Sequence, residues 1–352
     1  MHVQYTHPLF PVQPKVLRRC VPGLERALCD QAAPLKGAKA GRRPGQEQRA
    51  SLWPCRVLQT KRLAGRLRSE TCHVPGTSPV PHSRLPLHPW LVVPVVRDAL
   101  TRLDALANGH MFDARSRAAA GGSPCVRCAV VGNGGILNGS RAGAAIDRHD
   151  YVFRTNGALT KGFERDVGRR TSFYVFSTNT MMNSLHNYSS NGFRQLPQTL
   201  ETRYIFLPDH DRDYLLLRAA LTHSPVDRGP DEGARPERYF GKDLWAEKFK
   251  MFHPDFIRYV RNRFLRSSIL DTPQWRLYRP STGAVMLLAA LHTCDEVSAY
   301  GFITPNYRAY SEHYFDLTHK ALLFYANHDL RLEMSLWQEL HQSRLIMLHT
   351  RG

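Results

Sequence analysis

The apolar positions change period several times along the chain, and those changes divide it. Over residues 1–90 no helical or strand period persists, and stretches such as 36–43 and 73–89 are small, basic and broken by proline. That segment reads as disordered, or as sequence foreign to the fold behind it. A helical period begins with Val95, Val96, Ala99, Leu100, Leu103 and Leu106 on one face. After a Gly-Gly-Ser-Pro break at 121–124, short apolar runs alternate with helical patterns. Residues 128–131, 150–153, 172–176, 203–207, 296–301 and 344–348 read as strands. Residues 242–251 and 254–265 read as amphipathic helices split at His253-Pro254, and 282–292 as a mostly apolar helix. A last helix starts near Ala321 or His328 and runs to His341. The alternation predicts an α/β domain over 91–352, with a Rossmann-like, mostly parallel sheet flanked by helices.

Composition sharpens this division. Of 352 residues 42 % are hydrophobic, which supplies a core and excludes a wholly disordered chain. The net charge of +18 raises a polyanion or nucleic-acid partner as one reading. Residues 1–90, however, hold 15 basic against 4 acidic side chains and 12 of the 23 prolines, whereas 91–352 keep only +7. The basicity therefore belongs mostly to the segment outside the predicted domain. The longest apolar runs, 91–96 and 284–291, fall short of the roughly 18–20 residues a bilayer requires. Residues 1–20 hold no apolar stretch of signal-peptide type, so no signal-anchor is expected in the chain as written. Asn138-Gly-Ser140 and Asn187-Tyr-Ser189 are acceptor triplets for N-glycosylation.

Several clusters could carry chemistry. Gly132-Asn133-Gly134-Gly135 follows a strand where a nucleotide site would lie, but Leu137 removes the dinucleotide fingerprint. Asp209-His-Asp211 and Asp211-Arg-Asp213 have a spacing that can hold Mg²⁺ or Mn²⁺; with Arg212 among them they read as a surface turn. Cys125-x-x-Cys128 lacks the second close pair of a zinc ribbon. One of the two could instead bond Cys294, which in the chain-entropy account stabilises by roughly 4–5 kcal/mol and requires an oxidising compartment. His313-Tyr314-Phe-Asp316 and His328-x4-Glu333 offer imidazoles able to deprotonate a hydroxyl. Arg258, Arg261, Arg263 and Arg266 interleave with aromatics as a nucleic-acid groove does, yet Phe256, Tyr259, Val260, Phe264 and Leu265 form one apolar stripe that makes the arginines its solvated face. No serine-hydrolase elbow or Walker loop is present.

Taken in order, these clusters resemble the four motifs of the sialyltransferases of glycosyltransferase family 29. Residues 128–140 through 153–156 and 163–168 look like the long motif, and 279–283 through 291–301 the short one. His313-Tyr314-Phe-Asp316 matches the third motif, and His328-x4-Glu333 the very short one. The wording of 132–137 and 298–304 looks closest to the N-acetylgalactosaminide α2,6-sialyltransferases. The resemblance implies the sialyltransferase variant of the GT-A fold and transfer of sialic acid from CMP-sialic acid to O6 of Ser- or Thr-linked GalNAc in mucin-type O-glycans, with inversion. It implies donor binding by Asn133, Asn156, Ser281, Thr282, Gly283 and Gly301, a phosphate contact from His313 and a general base in His328. Tyr314 and Glu333 are supporting motif residues. It further implies a Cys128–Cys294 disulfide, O-glycosylated glycoprotein acceptors, a Golgi location, and no cofactor, metal or nucleic acid. Cys125 would then take an upstream partner among Cys20, Cys29, Cys55 and Cys72. Many members carry Ser where this chain has Gly134, so a hydroxyl contact there is lost or replaced by backbone. The alternatives are a polyanion-binding protein driven by the basic arm, or an inactive glycan-binding relative; intact His313 and His328 speak against the latter.

Overall fold

A computed structural model of the chain describes residues 94–112 and 125–351, which lie in one compact unit. The expectation of disorder over 1–90 and the candidate partners of Cys125 fall outside the described residues. The helices that matter below are α1 (Pro94–Arg102), α2 (Thr178–Asn187), α3 (Asp211–Leu221), α4 (Pro254–Arg263), α5 (Thr282–Thr293) and α6 (Leu330–Gln342).

Seven strands form one sheet: β1 (Arg127–Val131), β2 (Tyr151–Thr155), β3 (Phe173–Phe176), β4 (Arg203–Phe206), β5 (Phe249–Met251), β6 (Glu296–Tyr300) and β7 (Met347–Leu348). Their order is β5-β4-β3-β2-β1-β6-β7, and every neighbouring pair is parallel. A parallel sheet is covered on both faces, which is why its strands appear in the sequence as short continuous apolar runs. Every residue of β2 and β3 is buried. Cys128, Val130, Phe153, Val175 and Ile205 share one core with α4, α5 and α6 through Phe256, Val260, Leu287, Trp337 and Leu340. Ala129, Val131 and Val152 face the other way, into a core with Ile136, Ile146, Val167 and Tyr314. The apolar stripe of α4 is thus a core face, as its spacing predicts, and α1 lies along α3.

The structure corrects three expectations. Residues 242–251 are not a helix: a single turn at Ala246–Lys248 leads into β5. Lys248 and Lys250 mimic the polar face of an amphipathic helix, yet both are buried, and Lys250 Nζ donates to the carbonyls of Ala107 and His110. Asp209, His210 and Asp211 are exposed at the turn into α3, but the second D-x-D triplet is not a surface turn, because Asp213 lies inside that helix. Asp213 is buried and accepts from the backbone N–H groups of Thr178 (2.6 Å), Asp209 (2.9 Å) and His210 (3.0 Å). The last helix starts at Leu330, next to the His328 alternative and not at Ala321, because the Asp329 carboxylate accepts from Leu332 N–H (3.0 Å) and caps it. Helix α2 had no apolar period to reveal it; a reciprocal Ser177–Thr180 capping box starts it.

Cys128 and Cys294 are disulfide-bonded with Cα atoms 6.1 Å apart. They stand at the amino ends of the neighbouring strands β1 and β6, so the bond clamps that pair at the edge opposite the site described next. Cys125 is disulfide-bonded as well. Replacing Cys128 and Cys294 together with serine is expected to cost about 2–5 kcal/mol in denaturant unfolding; an unchanged midpoint would show that the sheet alone holds the two strands in place.

Candidate functional site

The sheet order fixes where a ligand can enter. From β1 the chain runs outward through β2 to β5, then returns to lay β6 on the other side of β1. The crevice beyond the carboxyl ends of β1 and β6 is therefore the topological switch point, where ligands bind in open α/β sheets.

Two loops meet there, backbone against backbone. Gly132 N–H donates to Tyr300 O (2.8 Å), Gly134 N–H to Gly301 O (3.0 Å) and Gly135 N–H to Ser311 O (3.2 Å). A Cβ on Gly132 or Gly134 would lie 2.7 Å from Gly301 O, and one on Gly135 2.1 Å from Ser311 O. Gly301 itself has φ +68°, a left-handed conformation that suits glycine. Glycine at 134 thus suits the close approach of Gly301 O, which a Cβ there would have to displace.

Asn133 and Asn156 follow the ends of the adjacent strands β1 and β2. The Asn133 amide donates to Thr155 O (3.1 Å), and its own carbonyl accepts from Tyr314 N–H (3.0 Å). Asn156 is left-handed (φ +53°), with its carbonyl receiving the Tyr174 hydroxyl at 2.6 Å. Tyr314 is fully buried and its hydroxyl donates to Leu159 O, so this motif residue holds the loop rather than facing a ligand. Asn138 donates its amide to Tyr314 O (3.0 Å), which commits the nitrogen that a glycan would use. Asn187 is exposed at the end of α2.

His313 lies in the loop that Tyr314 anchors. Its Nε2 is 3.3 Å from the Tyr188 hydroxyl, its ring stacks on Phe315 at 5.0 Å, and its Nδ1 is 3.6 Å from Asp316. Burial holds its pKa below the ordinary imidazole value, opposed by Glu312 and Asp316. Burial and the same two carboxylates push the Tyr188 phenol up to about 12, so it stays protonated at neutral pH.

On the other side of the crevice, Ser281 caps α5, accepting from Ala284 N–H at 3.0 Å. Thr282 and Gly283 present the next N–H groups of this twelve-residue helix, where the dipole favours an anion. A Cβ on Gly283 would meet only ordinary contacts at 3.6 Å, one of them to Phe302, the neighbour of Gly301. The Phe302 ring therefore lies beside the start of α5. Glu333, 3 % exposed in the first turn of α6, accepts from both Ser281 N–H (2.8 Å) and Ser281 Oγ (2.7 Å). Burial raises its pKa to about 7 against these two bonds.

His328 precedes the Asp329 cap. Its Nδ1 is 2.9 Å from Arg279 O, and a carbonyl can only accept, so Nδ1 carries the proton and Nε2 keeps its lone pair. Burial lowers its pKa, partly opposed by the bond to Arg279 O. Arg279 is held in turn by an ion pair with Asp209 and by donating its N–H to Asn327 O (3.0 Å).

The motif residues named from sequence thus gather at one edge of the sheet, in two groups bridged by Phe302. Tyr188 and Arg279 were missed as partners of the histidines. Tyr188 showed only as the middle of a glycosylation triplet, and a backbone carbonyl leaves no sequence signal. Among the described residues no cluster of three or more His, Cys, Asp or Glu has metal-holding geometry; Asp209 is paired with Arg279, and Asp213 is spent on backbone N–H groups.

These features define an open α/β domain with a ligand crevice at its switch point, and comparison with known proteins gives its family. The model of glycosyltransferase family 29 (sialyltransferase) matches residues 82–345, and the chain belongs to that family. It is 56 % identical over 257 residues to mouse alpha-N-acetylgalactosaminide alpha-2,6-sialyltransferase 2, covering 73 % of this chain and 68 % of that protein. It is 59 % identical over 227 residues to the human protein of the same name, covering 64 % of this chain and 61 % of that one. The chain therefore spans about two thirds of these relatives' length. A crystal structure of a mammalian sialyltransferase superposes with TM-score 0.53 at 27 % identity, over 73 % of this chain and 78 % of the other. A second, in complex with Gal-beta-1-3GalNAc-ortho-nitrophenol, gives TM-score 0.52 at the same identity, over 73 % and 79 %. No described helix is long and apolar enough to cross a membrane.

The Glu333 carboxyl yields a signed prediction. Its folded pKa of about 7 lies above the reference 4.5, so the folded state holds the proton more tightly. Its contribution to stability is full below pH 4.5 and is lost as pH rises through about 7. Glu333→Gln is expected to flatten the stability profile over that window in denaturant titrations at stepped pH; an unchanged slope would show that Glu333 is charged throughout.

Proposed function

We propose that the chain transfers sialic acid from CMP-sialic acid to O6 of Ser- or Thr-linked GalNAc in mucin-type O-glycans. The support is the family, the names of the most similar relatives and, above all, the tautomer of His328. The acceptor hydroxyl approaches Nε2 of His328 and gives up its proton as O6 attacks the anomeric carbon. The bond from that carbon to the phosphate oxygen breaks on the opposite face, CMP departs with the bonding pair, and the configuration inverts.

Charge builds on the departing phosphate, so stabilisation is needed there. Thr282 and Gly283 N–H groups at the start of α5 receive it, with Ser281 set in place by Glu333. His313 acts from the other side. A phosphate reaching its Nε2 adds a third negative group beside Glu312 and Asp316 and draws a proton onto the imidazole, which then donates to the leaving group. Asn133 and Asn156 hold the cytidine portion, and Gly301 permits its close approach. No metal takes part in this scheme; the helix end and His313 supply the positive potential. The disulfide suits an oxidising compartment such as the Golgi lumen. The free Nε2 lone pair of His328 favours turnover over a binding-only relative.

The purified chain incubated with CMP-sialic acid and a GalNAc-peptide is expected to release CMP and form an α2,6-linked product. His328→Ala should lower kcat by about 10²–10⁴ while CMP affinity changes little. The wild-type rate should fall on acidification below the ordinary imidazole range, as His328 takes up a proton, and stay level through neutrality. Full activity in His328→Ala, or a product linked elsewhere, would refute the assignment.

A further inference from the structure

One cavity is lined by none of the residues assigned above to the transfer. A cleft of about 350 Å³ is lined by Tyr307, Arg308 and Tyr310 on one wall and by Leu322, Phe324 and Arg331 on the other. Its walls belong to the connection that carries His313 and His328. Tyr310 leads into Ser311, whose carbonyl takes the Gly135 N–H, and Arg331 follows His328 by three residues, at most about 11 Å of chain. The cleft therefore lies within reach of anything bound next to an acceptor hydroxyl at His328.

Its chemistry is specific. The Arg308 guanidinium lies over the Tyr307 ring (5.8 Å) and that of Arg331 over the Phe324 ring (5.4 Å), while Tyr307 and Phe324 meet edge to face at 5.5 Å. Both arginines are exposed, and among the described residues neither forms an ion pair with a carboxylate. Arg308 Nε donates to the Tyr307 hydroxyl (3.4 Å), and a guanidinium held beside an aromatic ring keeps a fork of N–H donors that can match a carboxylate. Two such forks above an aromatic floor call for an anionic group on an extended, partly apolar chain.

We propose that this cleft binds an acidic side chain of the acceptor polypeptide, a few residues from the glycosylated Ser or Thr, and so selects among acceptor sites. The proposal rests on the sialyltransferase reading. A single GalNAc separates the reacting O6 from the peptide, so the polypeptide must pass close to His328, and the cleft is the charged, aromatic surface beside that path. Its occupant is the peptide rather than the donor, whose phosphate and base are accounted for in the crevice at the switch point.

The test uses the full chain and two GalNAc-Thr peptides that differ only in Glu or Gln at flanking positions. The wild type is expected to show roughly tenfold higher kcat/KM for the Glu peptide, of the size that charge-assisted hydrogen bonds confer. In R308A/R331A that ratio should fall to about one, with KM for CMP-sialic acid and the rate on the Gln peptide unchanged. R308K/R331K, which keeps the charge and loses the fork, should give an intermediate ratio. Equal ratios in wild type and R308A/R331A overturn the proposal, and so does a raised donor KM, which would assign the cleft to the donor's carboxylate. Fluorescence anisotropy of the two labelled peptides without donor reads the same preference as a difference in Kd. If the wild type transfers to neither peptide, the sialyltransferase reading fails, while the Kd difference still decides the cleft.

Discussion

The seam between β1 and β6 is the contact on which the rest of the structure depends. These strands are adjacent in space and far apart in sequence, and they are fastened at both ends. At the amino end Cys128 is bonded to Cys294; at the carboxyl end Gly132 and Gly134 donate to Tyr300 and Gly301. A Cβ on Gly132, Gly134 or Gly301 would lie 2.7 Å from a backbone oxygen of the facing loop, so these glycines let the two loops close on each other. Everything the site needs is hung from this seam. Gly135 reaches Ser311 and so places the loop of His313, while Phe302 beside Gly301 abuts Gly283 at the start of α5.

Most residues of the motifs serve as scaffold, and few are left for chemistry. Arg154 in β2 is wholly buried and donates to Val167 O (2.5 Å) and Arg170 O (2.9 Å), pinning the loop before β3. Asp316 accepts from Ser311 Oγ (2.6 Å) and His313 N–H (2.8 Å), so it shapes the loop that presents the imidazole. Glu333 fixes Ser281, and Tyr314 ties its loop to Asn133 and Leu159. What remains is two imidazoles, to which we assign opposite tasks, and one helix end. Burial favours the neutral form of His328, and the Arg279 carbonyl at Nδ1 leaves the lone pair on Nε2. His313 sits between burial, which removes its proton, and carboxylates, which restore it.

The fold was legible where burial on both faces writes continuous apolar runs, as at β1, β2, β3, β4 and β6. It was illegible where polar side chains are buried for structural reasons. Lys250 disguises β5 as the polar face of a helix, and Asp213 disguises the start of α3 as an acidic turn, because a buried carboxylate bonded to three N–H groups has the same sequence as an exposed one. The glycines and both histidines could be named from spacing and family resemblance. The partners that decide their protonation could not: Arg279 O, 49 residues from His328, is a main-chain atom, and Tyr188 is 125 residues from His313. Tautomer and pKa are properties of the folded neighbourhood. The +18 charge is a further case, since it describes mainly the segment before residue 91 and says little about the crevice.

The central claim is that the switch-point crevice between the glycine seam and the start of α5 holds the nucleotide donor. The most direct measurement is a crystal structure of the protein with CMP bound. The account predicts the phosphate at the N–H groups of Thr282 and Gly283 and near His313 Nε2, with the cytidine against Asn133 and Asn156. CMP bound elsewhere, or a phosphate that leaves the start of α5 empty, would contradict it.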